Sequence, residues 1–191
     1  MRNEGFSLVE MVISIAIILT MAAVAAPMFR ARFADAHLVG AAQQFKARFR
    51  LANSIAVRSG VYTAIRFSRV GGGSVTYSVY ADGNANGVLS ADIARGVDRL
   101  VEGPLELAGG VPGVFVGFNA GVPELPPEKG TLSGDPVRFG VSDMLSFSPL
   151  GTATPGTFYL AGENAQAAVR VNGGTARVRL MLWRGGKWVE R

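Results

Sequence analysis

The sequence contains no cysteine and only one histidine, His37. Without cysteine the chain forms no disulfide and no thiolate metal site, and it lacks one class of catalytic nucleophile. His37 has no second histidine or acidic residue at the spacing that a metal site requires, so we expect it to be solvated or packed. The sequence also has no Gly-x-Ser-x-Gly nucleophile motif and no phosphate-binding loop. These absences predict that the protein is not an enzyme.

Charged residues are few as well, at 17% of the chain. Cations exceed anions, which gives a formal net charge of +5. A surplus of this size is a common way to stay soluble, and it also favours contact with an anionic partner. The 191 residues, 49% of them hydrophobic, suffice for one packed domain with an appendage but are few for two domains.

The longest apolar run extends from Met11 to Phe29 and contains only two polar side chains, Ser14 and Thr20. As a helix, about 19 residues at about 1.5 Å each span roughly 28 Å, close to the hydrocarbon thickness of a bilayer. The run therefore predicts a membrane-spanning helix. Glu10 lies at its edge, where a carboxylate in lipid requires a partner.

An ordinary secretory signal peptide is the alternative interpretation of this segment. Such a peptide has a shorter apolar core followed by small residues at a cleavage site, which the alanines at 22, 23, 25 and 26 could imitate. Its usual cationic leader is represented here only by Arg2, which Glu4 partly offsets. The weak leader and the acidic Glu10 argue against a signal peptide.

The residues before the apolar run carry a motif. The sequence from Gly5 to Glu10, Gly-Phe-Ser-Leu-Val-Glu, resembles the class III signal of type IV pilins and type II secretion pseudopilins. The resemblance implies cleavage after Gly5 by a prepilin peptidase, methylation of the new amino group on Phe6, and retention of the apolar helix for assembly. In a filament the Glu10 carboxylate would neutralise the amino terminus of a neighbouring Phe6, because opposite charges attract strongly in an apolar environment.

The helical pattern continues beyond the apolar run. Pro27 predicts a kink or a locally melted turn. An amphipathic stem follows and is expected to end at Ser59-Gly60. Its apolar stripe should pack on a globular domain and consists of Phe29, Phe33, Phe45, Phe49, Ala52 and Ala56.

After Gly60 the periodicity changes to two, which predicts strands. The segments 61–67 and 75–80 should form a hairpin across the glycines at 71–73. Further strands are expected at 105–107, 114–118, 137–139, 145–147, 157–160, 167–171 and 176–183, with a surface loop at 121–136. The predicted fold class is α+β, with a long amino-terminal helix packed on an antiparallel β-sheet domain.

The carboxyl-terminal third carries a second resemblance. The stretch from Phe147 to Leu160, with Ala176 to Leu180 and Trp183 to Trp188, is similar to the end of the GspH/FimT pseudopilin family. GspH-type members are minor pseudopilins of type II secretion, and FimT-type members belong to type IV pili.

The two resemblances together imply a type IV pilin-like protein with four parts. Residues 1–5 would be a prepilin leader, 6–29 the transmembrane and assembly helix, 30–60 the stem, and 61–191 a periplasmic β-rich domain. The expected function is that of a minor pseudopilin of a type II secretion system, held in the inner membrane by one span and assembled with other pseudopilins or pilins. The alternative is a FimT-like minor pilin involved in pilus assembly or DNA uptake.

One loop pattern suggests calcium. Asp82, Asn84 and Asn86 place oxygen side chains at alternate positions, as at the start of a calcium loop. Asp92 comes one residue before the position of the usual bidentate glutamate, which Ile93 occupies. Calcium is therefore a possible cofactor with weak affinity, and a plain Asx-rich turn is the alternative.

A cluster of arginines suggests an anionic partner. Segments 167–171 and 176–183 should pair as a hairpin, with Arg170, Arg177 and Arg179 on one face and valines on the core face. Three like charges on one face repel unless an anion lies among them, and this anion could be Glu163, a neighbouring subunit or a DNA phosphate. In FimT-type pilins a glycine precedes the arginine pair, where this chain has Ala176. An arginine-rich edge that only prevents aggregation is the other interpretation.

Overall fold

The computed structural model describes residues 7–70, 74–107 and 111–191, and for residues 26–32 it describes the backbone alone. The leader, Gly5, Phe6 and the three-glycine turn at 71–73 therefore lie outside the described residues. The described chain is α+β, as predicted, with one long helix and antiparallel sheets.

Helix α1 comprises Leu8–Ser59, so the apolar run and the stem form one element. It ends as predicted, because Gly60 adopts a φ of 70° and its amide donates to the Ala56 carbonyl at 3.0 Å. Helical structure is continuous through Pro27, so the locally melted turn expected there is not present. Proline removes only one backbone donor, and the flanking turns remain hydrogen-bonded.

The β region forms two sheets, where the sequence predicted one. The described strands are β1 (Thr63–Arg69), β2 (Val75–Ala81), β3 (Arg99–Glu106), β4 (Phe115–Val116), β5 (Val137–Arg138), β6 (Met144–Phe147), β7 (Gly156–Ala161), β8 (Gln166–Val171), β9 (Val178–Arg184) and β10 (Lys187–Glu190). The first sheet has the order β3-β2-β1-β6, and the second has the order β10-β9-β8-β7-β4 with β5 also paired to β7. A short helix, α2 (Ser90–Arg95), connects β2 to β3.

Aromatic rings join helix α1 to both sheets. Phe45 lies 5.1 Å from Phe158 of β7, measured between ring centroids, and Phe49 lies 6.3 Å from Phe67 of β1. The Phe67 ring stacks on Phe158 at 5.8 Å and on Phe139 at 5.6 Å. Such pairs add to the burial of apolar area, so this aromatic junction holds the three layers together.

The predicted stripe is only partly correct. Phe45, Phe49, Ala52 and Ala56 are buried, as expected for the face that packs on the domain. Phe33 is 62% exposed, and the buried face of α1 begins only at Leu38. The 3.6-residue period continues through Phe33, but the globular domain borders this residue without covering it.

The loop at 121–136 is more ordered than the surface loop that its prolines and glycines predicted. Its Val122, Leu125 and Leu132 are buried against Tyr159 and Ala168 on the outer face of the second sheet. This covering loop therefore builds a small second core on the side of the sheet opposite α1.

Candidate functional site

The apolar half of helix α1 has no partner in the described chain. Leu8–Ala25 has a mean hydropathy of 2.5, and none of this segment is buried. Among the described residues it is the one helix that is long and apolar enough to cross a membrane. A core helix of a soluble protein would be mostly buried, so the exposure of this one favours a lipid or protein environment.

Glu10 lies in the first turn of this helix, and its side chain is exposed. The two other polar side chains of the span bond to the helix itself: Ser14 Oγ donates to the Glu10 carbonyl at 2.8 Å, and Thr20 Oγ1 to the Ile17 carbonyl at 2.8 Å. Their polar groups are therefore satisfied within the helix. Glu10 is the one ionisable residue of this span, and in lipid its carboxylate would require a partner from outside the span.

The second candidate site is built on the hairpin of β8 and β9. Arg170 pairs directly with Arg179, and Val171 with Val178. Since side chains alternate along a strand, this register sends the valines into the core and the arginines to the outer face. Val178 begins β9 two residues later than predicted, because Ala176 adopts a φ of 48° and belongs to the turn.

The arginines line a cleft of about 630 Å³ between the hairpin and the covering loop. Four guanidinium groups border it, and its apolar walls include prolines and an aromatic ring. The lining residues that matter for charge and shape are Arg138, Arg170, Arg177, Arg179, Glu128 and Tyr159.

Arg170 anchors the covering loop. Its guanidinium donates to the Pro126 carbonyl at 2.7 Å and to Glu128 Oε1 at 2.5 Å. The hydrogen bond from Arg170 lowers the pKa of the Glu128 carboxyl, and this effect outweighs the increase that burial causes. The anion beside Arg170 is thus Glu128 and not Glu163, which lies on the rim of a different groove. Sequence reasoning missed Glu128 because 42 residues separate it from Arg170.

Arg138 fixes the same loop from the other side. It donates to both carboxylate oxygens of Glu124, at 3.1 and 3.0 Å, and to the Ser133 carbonyl at 2.7 Å. Its guanidinium also lies 5.1 Å from the ring centroid of Tyr159. Arg138 is therefore a structural clamp of the covering loop.

Arg177 and Arg179 are the accessible cations of the cleft, with 63% and 47% of their side chains exposed. Both face one carboxylate, Glu190 of β10, at 3.8 and 3.7 Å. Ion pairs of this length and exposure hold weakly and yield to a competing anion. The hairpin therefore presents two available guanidinium groups, while Arg170 is engaged with the loop.

The predicted calcium loop is closed by hydrogen bonds of its own. Asp82 accepts the amides of Asn84, Ala85 and Gly87 at 2.8–3.0 Å. Asp92 Oδ2 accepts from the side-chain amides of Asn86 and Asn84 at 3.0 and 3.2 Å, and these bonds lower the pKa of the Asp92 carboxyl. The four residues thus meet in one place, and calcium there remains a prediction.

Asp98 completes this loop and was not expected from the sequence. It is buried, and its two oxygens accept the amides of Gly83 at 3.1 Å and Leu89 at 2.9 Å. Gly83 is required at its position, because a β-carbon there would lie 2.0 Å from the Val97 carbonyl oxygen. Within the described ranges, no group of three or more His, Cys, Asp or Glu residues is arranged to hold a metal ion.

Two protein-family models match the chain. One, described as type II transport protein GspH, matches residues 41–175, which is well over half of the chain. The chain belongs to the GspH family. The second model, the prokaryotic N-terminal methylation motif, matches residues 1–26. No curated protein and no solved structure gives a significant match.

Membership of the GspH family confirms the resemblance to GspH/FimT pseudopilins, and it also confirms the type IV pilin-like fold. The protein is a pilin-like pseudopilin, and this family consists of structural subunits. The methylation motif covers Gly5, Phe6 and Glu10, and it implies processing by a prepilin peptidase and assembly with other pilins. The GspH match ends before Arg177 and Arg179, so it carries no information on these two arginines.

Proposed function

We propose that this GspH-family protein is a minor pseudopilin of a type II secretion system. The observation that carries the proposal is the continuity of α1: one helix joins an exposed apolar span, with Glu10 in its first turn, to a GspH-type domain. One end of the helix suits a bilayer or a filament core, and the other is buried between two sheets. The domain lies in the periplasm, and the single span holds the chain in the inner membrane before assembly.

Processing and assembly follow from the first turn of α1. Cleavage after Gly5 exposes the amino group of Phe6, which is then methylated. In the filament the Glu10 carboxylate of one subunit pairs with the amino terminus of Phe6 in the next. Because both charges are far from water, removal of one partner leaves the other uncompensated, at a cost of about 3–5 kcal/mol.

This role is tested by measuring both protein export and the amount of each variant in the membrane. In a strain that lacks the native copy, we expect Glu10→Ala to insert into the membrane normally but to fail to restore export of the system's secreted proteins. Ser14→Ala is the matched control, because Ser14 is a polar residue of the same span whose hydroxyl bonds only to the helix backbone. Full export with Glu10→Ala, or export that never depended on this protein, would contradict the proposal.

A FimT-like minor pilin that contacts DNA is the second candidate. The observation that favours it is the exposed pair Arg177 and Arg179, whose shared carboxylate, Glu190, is 3.7–3.8 Å away. Ion pairs between these two guanidinium groups and DNA phosphates would weaken as the salt concentration increases.

DNA retention by the protein separates the two candidates. If the second is correct, Arg177→Ala with Arg179→Ala abolishes retention of duplex DNA at physiological salt. Arg58→Ala with Arg95→Ala removes the same charge from exposed positions elsewhere and should leave retention unchanged. Absence of retention by the unaltered protein would eliminate this candidate.

A further inference from the structure

An apolar groove lies where helix α1 leaves the globular domain. It has a volume of about 560 Å³ and lies between α1 and the segment that leads into β4. Phe33 from the helix and Phe115 from β4 line it with 62% and 50% of their surfaces exposed. Pro112 and Gly113 also line it, as do the polar residues His37 and Glu163. Two exposed aromatic rings on one groove indicate a surface that contacts something apolar.

The position of the groove along α1 identifies that partner. The apolar run ends at Phe29, and Phe33 follows one helical turn, about 6 Å, later. The polar layer of a bilayer extends roughly 5–8 Å beyond the hydrocarbon core on each side. Since α1 is continuous between the two residues, Phe33 lies at the level of the lipid headgroups whenever the apolar run spans the membrane.

The end of the globular domain that carries the groove is the end nearer to the membrane. The turn between β7 and β8 packs on α1 at Leu38, where a β-carbon on Gly162 would lie 3.3 Å from the leucine side chain. Strand β8 runs away from that turn, and Gly173 beyond its far end contacts Ala153. Six strand residues cover roughly 20 Å, so the arginine hairpin lies at the opposite pole.

We propose that this groove is a lipid-contact surface that seats the globular domain on the membrane spanned by α1. Phe33 and Phe115 insert at the boundary between headgroups and acyl chains, where aromatic side chains are favoured, and His37 and Glu163 remain among the headgroups. The seated domain would be held at a fixed height before the subunit joins a filament. The inference rests on the membrane anchoring in the proposed function.

The test uses the full chain in vesicles of phosphatidylethanolamine and phosphatidylglycerol. Because the chain has no cysteine, single nitroxide labels can be placed without other changes. Glu163→Cys reports on the groove, Leu150→Cys on the opposite pole, where Leu150 is 88% exposed, and Ile17→Cys on the span. The readout is the accessibility of each label to oxygen, which concentrates in lipid, relative to a water-soluble nickel complex.

We expect the Glu163 label to report an interfacial depth, between the Ile17 and Leu150 labels. Phe33→Ser with Phe115→Ser should shift it to the water-exposed value of the Leu150 label. Leu100→Ser with Val101→Ser, two half-exposed apolar residues on edge strand β3, is the matched control and should leave the depth unchanged.

Three results would overturn the inference. A Glu163 label as accessible to nickel as the Leu150 label, while the Ile17 label is in lipid, refutes the groove and leaves the membrane anchor intact. If protection of the Glu163 label from the nickel complex increases with the ratio of protein to lipid, the groove binds a second copy of the chain and not lipid. A water-accessible Ile17 label removes the membrane anchoring itself, and the groove proposal with it.

Discussion

Phe49 offers the most direct test of how the helix is joined to the two sheets. Its ring is fully buried and meets the edges of Phe67 at 6.3 Å and Phe139 at 5.9 Å. Truncation to alanine removes a large apolar side chain and leaves a cavity, at a cost of about 3–5 kcal/mol. Small domains have total stabilities of about 5–15 kcal/mol, so Phe49→Ala should remove about a fifth of the stability or more.

The measurement is urea unfolding of the full chain in detergent micelles, followed by the fluorescence of Trp183 and Trp188. Both tryptophans lie in the second sheet and therefore report on the globular domain. We expect a large fall in the unfolding midpoint with an unchanged slope. Leu51→Ala, a half-exposed residue on the same helix, should change stability by about 0.5 kcal/mol or less. A loss below about 1 kcal/mol for Phe49→Ala would refute the idea that the aromatic junction holds the layers together.

Three further predictions concern the loops. Ala85 is exposed with a φ of 64°, so Ala85→Gly should raise the free energy of unfolding by about 0.5–1 kcal/mol in the same urea assay, and a loss would contradict the assigned backbone. Hydrogen bonds from Asn86 and Asn84 lower the pKa of Asp92 in the folded state. The stability that Asp92 contributes is therefore present above its unfolded pKa of about 4 and is lost as pH falls below that value. Thermal melts from pH 6 to 2 should show this loss, and Asp92→Asn should reduce the pH dependence. If calcium binds at Asp82 and Asp92, calcium at about 1–10 mM should raise the melting temperature more than magnesium does, and Asp92→Asn should abolish the difference; equal effects of the two ions would end the calcium hypothesis.

Much of the fold could be predicted because its signals are local. The end of α1 at Gly60 and the pairing of β8 with β9 follow from a glycine, a turn and period-two alternation. The division into two sheets could not be predicted, because β6 pairs with β1 across about eighty residues. The short helix α2 was missed as well, since six residues leave too little periodicity to recognise.

The candidate sites, like the fold, could be predicted only where their residues are close in sequence. The motif at Gly5, Phe6 and Glu10 is contiguous, and a family model matches it. The arginine face follows from strand alternation, but its counter-ions Glu128 and Glu190 are brought there by a loop and an edge strand that sequence spacing does not connect.

Assembly through a processed amino terminus is the central claim, and the intact mass of the mature protein tests it most directly. The protein should be extracted from the membranes of the cells that make it natively. We predict a chain that begins at N-methylated Phe6, which retains Glu10 and the whole apolar helix. A chain cut after the alanines near residue 26, or one that still begins at Met1, would contradict the account.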